Sequence, residues 1–192
     1  MMTIEEHKIR TERSYKLLLI FAMISMVMMF AGLTSAMVVS KSRPDWLKNF
    51  TMPSAFFVST AVIVLCSVAM FLAKKSIKAN KKQATTVFLW ATLGLGVVFI
   101  YFQFQGFAQL FENHLYPVGG AGSITISFLY VLVYLHMVHL LGGIISLLII
   151  IYNHFKQKYN ASQFIGIELG AMYWHFLDFL WIYLFLFLYF FK

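Results

Sequence analysis

The sequence predicts an all-α protein, an integral membrane bundle of five transmembrane helices. Three observations carry that expectation. Hydrophobic residues make up 61% of the 192 and charged residues 11%, with a mean hydropathy of +0.80, far from a soluble globular mixture. The apolar residues fall into five long runs that lack the period-two alternation of membrane strands. The connections between runs are short, so a single transmembrane domain covers residues 1–192 and leaves no room for a soluble module.

A crossing helix needs about 20 mostly apolar residues, which places spans near 15–39, 53–73, 85–111, 126–152 and 164–191. Ahead of the first, Glu5, Glu6 and Glu12 mix with Lys8, Arg10, Arg13 and Lys16. The apolar run that follows exceeds a signal-peptide core, so it reads as a retained span. Its Met23, Met26, Met28 and Met29 suit adaptable packing better than copper ligation. Pro53 suits the first turn of the second helix, where a missing N–H removes no helical bond. Cys66 is the one cysteine of the chain. It excludes an internal disulfide and a cysteine metal cage, and its apolar setting assigns it to packing.

The third span carries Gln103, Gln105 and Gln109 in its outer half. Bonds between helices account for them more simply than a pore lining. Tyr116, Pro117, Gly119, Gly120 and Gly122 then form a flexible outer loop. Its Gly-Gly-Ala-Gly run follows no strand and offers no lysine, so it is no phosphate cradle. Asn49-Phe50-Thr51 fits a glycosylation sequon, which matters only in a eukaryotic source. Phe185, Phe187, Tyr189, Phe190 and Phe191 give the last span an aromatic end, as expected at a membrane interface.

Net charge is +8, but the basic residues sit between apolar spans. That pattern points to topology and anionic headgroups, and nucleic acid is not an expected partner. Eleven lysines and arginines fall on one side of the expected spans and four on the other. The N-terminus is therefore expected in the cytoplasm and the C-terminus outside. Lys74, Lys75, Lys78, Lys81 and Lys82 weigh most.

Polar chemistry concentrates on the last two spans. Glu168 and His175 are seven residues apart and share a helix face, and Asp178 lies one turn beyond on the same side. His136 and His139, three apart on the fourth span, also share a face. Ionisable groups at membrane depth cost about 2.5–3.5 kcal/mol each and rarely face lipid. Several arrangements would satisfy them. A di-iron carboxylate site wants paired Glu-x-x-His motifs, which are missing here. A zinc site of His136, His139 and Glu168 has the right donor types. A bis-histidine haem meets a depth mismatch of about 5–9 Å between His175 and the fourth-span histidines. A hydrogen-bonded network fastening helix to helix demands least. Gly142, Gly143, Gly166 and Gly170 offer small patches for close helix approach.

Tyr173-Trp174-His175-Phe176-x-Asp178-x-x-Trp181, with Glu168 seven residues before the histidine, closely resembles the last helix of subunit III of haem-copper oxidases. His136-x-x-His139-x-x-Gly142-Gly143 resembles that family's preceding helix, and Leu93-Gly94-Leu95-Gly96 leading to Gln103 is a looser match. The resemblance covers essentially the whole chain and fits the five-helix bacterial form. It implies a non-catalytic subunit that binds no redox cofactor itself, with haem and copper in partner chains. Its implied partners are oxidase subunits I and II, membrane phospholipids and a respiratory supercomplex. Its implied place is the bacterial inner membrane, where the complex passes electrons to oxygen and translocates protons. Cytochrome c and quinol both remain open as the electron donor. A self-contained membrane haem protein or a proton-coupled carrier would use the same acids and histidines. Two departures stand out. Ser25-Met26 replaces a Ser-Glu pair common in the family, and Gly106 replaces a glutamate common three residues after the glutamine of the third span.

Overall fold

The computed structural model describes residues 4–47, 51–117, 123–161 and 163–191. Five helices follow one another: α1 (Ile4–Val39), α2 (Ser54–Lys78), α3 (Lys82–Glu112), α4 (Ile124–Phe155) and α5 (Ile165–Phe191). Each is long and apolar enough to cross a membrane. The sequon and the glycines of the outer loop lie wholly or partly outside the described residues.

The helices overrun the expected spans mainly at the lysine-rich end. α1 begins at Ile4, eleven residues before the expected boundary, because Glu, Lys and Arg are good helix formers outside the bilayer. Thr11 and Ser14 donate back to the carbonyls of His7 and Arg10 in this extension. Pro53 sits at the N-cap of α2, immediately before its first turn.

Helices α2, α3 and α4 end alike at Asn80, His114 and Gln157, each at φ 56°. At the first, Asn80 N–H donates to Ile77 O at 2.9 Å and Lys81 N–H to Ser76 O at 2.9 Å. The same paired bonds follow His114 and Gln157. These are left-handed caps that satisfy otherwise orphaned carbonyls, built here without glycine.

Antiparallel α2 and α3 make the most extensive helix pair. α5 packs on α2 and α4, α3 also packs on α4, and α1 lies outside against α4 and α5. The shared core of α2 to α5 centres on Phe56, Phe99, Trp174 and Trp181, all essentially inaccessible. Glycines admit these rings. A Cβ at Gly96 would come within 3.0 Å of Trp174 Cη2, and one at Gly106 would overlap the Phe56 ring.

α1 is buried at one end only. Phe30, Thr34 and Met37 are buried at the end away from the lysines, where Thr34 Oγ1 and Tyr183 Oη are 3.1 Å apart. Toward the lysine-rich end no described residue of α1 is buried. Instead, a groove of about 530 Å³ separates it from α4 and α5, lined by Leu19, Met26, Gly142, Ser146, Tyr159 and Gly170 among others.

The loop after α1 folds back on α4. Leu47 N–H donates to Thr125 Oγ1 and Ser123 Oγ donates to the Asp45 carbonyl, both at 3.0 Å. Arg43 bonds the Asp45 carboxylate at 3.0 Å, which holds that carboxyl below its ordinary range.

Candidate functional site

Glu168, His175 and Asp178 descend α5 in steps, and each meets different surroundings. α5 starts at Ile165, so Glu168 lies in its first turn, where the helix dipole favours an anion. Its carboxylate pairs with Lys16 Nζ of α1 at 2.8 Å and Lys74 Nζ of α2 at 3.6 Å. The Glu168 side chain keeps 24% exposure, so this acid belongs to the lysine-rich end and not to the bundle interior. It joins three helices.

Two turns deeper, His175 Nδ1 and Ser67 Oγ of α2 are hydrogen-bonded at 2.7 Å. Asp178 follows, 3% exposed, with neither carboxylate oxygen in a hydrogen bond. Ser67 also lies near the Asp178 carboxyl, and when its hydroxyl accepts from His175 Nδ1–H its proton can turn toward that carboxyl. An unpaired polar group in a protein interior carries a desolvation penalty of about 1–3 kcal/mol, more when charged. Asp178 is thus a costly residue with little intramolecular bonding to offset its burial.

The fourth-helix histidines do not join the acids. His136 is fully buried, and neither ring nitrogen has a hydrogen-bond partner. Its ring lies 5.9 Å from Phe99 and 5.2 Å from Trp181, centroid to centroid. His139 is half-buried and donates from Nδ1 to Leu135 O at 2.7 Å within its own helix, with Phe30 of α1 5.7 Å away. The α4–α5 bond comes from Tyr173, whose hydroxyl donates to the His139 carbonyl at 3.0 Å. Among the described residues no three His, Cys, Asp or Glu side chains converge as a metal ion would need. His136 and His175 face different neighbours, aromatic rings for the first and Ser67 for the second.

Trp174 and Trp181 give α5 its inward bulk. Trp181 Nε1 donates to Thr60 Oγ1 of α2 at 3.0 Å, and its ring lies 5.1 Å from Phe99 and 6.0 Å from Phe56. Trp174 is wedged beside Gly96 and Gly143, and its indole N–H lacks a partner. Gly143 meets Leu177 and Tyr173 across the α4–α5 interface, and Gly170 meets Ile150. Gly142 instead borders the groove under α1. Gly166 meets Tyr159, whose phenol, in the turn before α5, is raised above its ordinary value by burial.

Several interhelical links come from residues without an evident signal. Ser67 and Thr60 are small hydroxyls in an apolar run, where α-helical back-bonding to the chain itself is the usual fate. His154 Nε2–H donates to Thr86 Oγ1 at 2.9 Å, tying α4 to the start of α3. The glutamines divide. Gln103 Nε2 donates to Ser59 Oγ at 3.1 Å in the core, and Gln109 accepts from Ala55 N–H at 3.4 Å at the start of α2. Gln105 faces outward and bonds Tyr101 on its own helix. Cys66 is buried, with its thiol directed at Thr92 O.

Fold and site together define a multi-pass helical membrane protein whose polar side chains, where paired across helices, tie the bundle together. The chain belongs to the cytochrome c oxidase subunit III family, whose description matches residues 3–192. Cytochrome c oxidase subunit 3 of Thermostichus vulcanus is 27% identical over 176 residues, covering 90% of this chain and 84% of that one. Its counterpart in Alkalihalophilus pseudofirmus is 26% identical over 129 residues, 67% of this chain and 62% of that one. The Drosophila melanogaster protein of the same name is 28% identical over 132 residues. The match takes in 69% of this chain and 48% of the fly protein.

Proposed function

We propose that the chain is the non-catalytic subunit III of a proton-translocating haem-copper terminal oxidase of the cytochrome c oxidase type. It stabilises subunit I and sustains proton uptake there, while haem and copper reside in the partner chains. Subunits I and II, phospholipids and a respiratory supercomplex are its surroundings. The observation that carries this reading is the family match across nearly the whole chain. Bacterial relatives support a place in the bacterial inner membrane. Lysines gathered at the α2–α3 turn support a cytoplasmic N-terminus and an outer C-terminus.

In this reading His136, His139, Glu168, His175 and Asp178 are structural residues: Glu168 and His175 tie α5 to α1 and α2, and the others pack within the bundle and so set the shape shown to subunit I. Glu168 contributes through Lys16 and Lys74, His175 through Ser67. Asp178 is the member whose worth to the isolated chain is least, because neither carboxylate oxygen makes a well-formed hydrogen bond. Asp178→Leu separates the two levels. The isolated variant should be as stable as the wild type or more so, since apolar replacement of an unpaired buried polar group is often neutral or better. The assembled complex should show lower yield or turnover with unchanged partner haem spectra. Normal yield and undiminished turnover would contradict a structural role for Asp178 in assembly.

A further inference from the structure

One outward face of the bundle is unlike the others. On α3, Tyr101, Phe104 and Gln105 form a stripe at helical spacing, with Tyr101 58% and Phe104 60% exposed. Gln105 Nε2 donates to Tyr101 Oη at 2.8 Å. Among the described residues the amide oxygen of Gln105 and the phenolic proton of Tyr101 have no partner. Across a shallow furrow of about 450 Å³, lined by Phe104, Phe107, Phe111, Tyr130, Val131 and Tyr134, α4 presents Tyr134 at 63% exposure. Its hydroxyl also has no partner among the described residues.

These groups are not at a headgroup surface. Gln109 bonds the first turn of α2 and marks the non-lysine end of the bundle. Along α3 Gln105 lies about 6 Å and Tyr101 about 12 Å further in, and Tyr134 lies about 15 Å from the start of α4, at ~1.5 Å per residue. Acyl chains there offer neither donors nor acceptors, so an outward amide and phenols at this depth are unfavourable in lipid alone.

Two other outward hydroxyls within the spans are closed inside the chain, although Ser35 of α1 has no partner among the described residues. Ser25 donates to Phe21 O, and Tyr183 bonds Thr34. The exposed face of α2 carries Val64, Leu65, Val68 and Phe71, which suit lipid without further partners.

We infer that the α3–α4 face around Tyr101, Phe104, Gln105 and Tyr134 is the seat of a transmembrane helix from the haem-bearing subunit, one that supplies a hydrogen-bond donor to Gln105 and an acceptor to Tyr101 or Tyr134. This deepens the subunit III reading and rests on it. Polar complementarity selects the occupant: a lipid tail fills the furrow but leaves the amide and phenols unpaired, whereas a helix with a polar side chain fills both needs.

The test places a photo-crosslinking benzoyl-phenylalanine at Phe104 or Tyr134 of α3 and α4, and at Leu65 or Val68 of α2, in the intact complex in native membranes. Adducts to the haem-bearing subunit are expected from positions 104 and 134, with lipid adducts alone from 65 and 68. Tyr101→Phe combined with Gln105→Leu should lower recovery of that subunit with the tagged chain at least threefold, while the thermal midpoint of the chain alone stays unchanged. Lipid adducts alone from 104 and 134, in a complex that still co-purifies, would overturn this assignment and leave the subunit III reading intact. So would adducts to a second copy of this chain, or adducts to the haem-bearing subunit from 65 and 68 instead. If no oxidase subunit co-purifies with the wild-type chain, both fall together.

Discussion

Some buried polar atoms in this bundle, such as His136 Nδ1 and Trp174 Nε1, have no partner among the described residues, and others are paired. Trp181 Nε1, Gln103 Nε2 and the Ser67–His175 pair are satisfied across helices, and losing one partner exposes the other to the full desolvation cost. Thr60→Val removes the acceptor for Trp181 and is expected to destabilise the purified chain by about 1–3 kcal/mol, read as a lower unfolding midpoint in detergent. Close approach is equally local. Gly170→Leu drives a side chain into Ile150 and should cost about 1–3 kcal/mol by overpacking. Gly142→Ala meets only the Tyr173 hydroxyl at 3.7 Å and should leave the midpoint unchanged in the same assay. The shared face of Glu168, His175 and Asp178 was legible from spacing alone. Their separate fates were not, because pairing depends on where α1 and α2 place Lys16, Lys74 and Ser67. The Gly106 departure also has a physical reason: the Phe56 ring occupies the space that a glutamate side chain would need.

Among the elements, α1 and the three left-handed caps are where the chain is held least economically. His114 adopts φ 56°, a region that costs non-glycine residues about 1–2 kcal/mol. His114→Gly should therefore raise stability by about 1 kcal/mol, seen as a higher thermal midpoint. α1 is anchored by Phe30, Thr34 and Met37 at one end and by the Lys16–Glu168 ion pair at the other. That pair is partly exposed, so Lys16→Ala should cost no more than about 1 kcal/mol. Its larger effect should be geometric, a broader spin-label distance distribution between positions 19 and 169 across the groove. Element number and type were readable from apolar run length. The helical continuations at the lysine-rich end were not, because hydropathy locates the bilayer and says nothing of where a polar helix stops.

For the whole molecule, the distribution of polarity decides which surface meets what. Lysines gather at one end, α2 presents an apolar face, and α3 with α4 presents aromatic rings and open hydrogen-bonding groups. The sequence reading grouped Gln103, Gln105 and Gln109 together, whereas the fold turns Gln105 outward and Gln103 into the core, a difference of two residues on a helix. Family membership was legible from the last helix because its polar and aromatic positions recur at fixed spacing. The central claim is that this bundle is a structural partner within a redox complex. Its most direct test is affinity purification of the tagged chain from native membranes, with mass spectrometry of co-purifying subunits and a reduced-minus-oxidised spectrum before and after the subunits are separated. The account expects haem-bearing oxidase subunits in the eluate and a Soret band that leaves with them. A Soret band retained by the isolated chain, or an eluate without oxidase subunits, would contradict it.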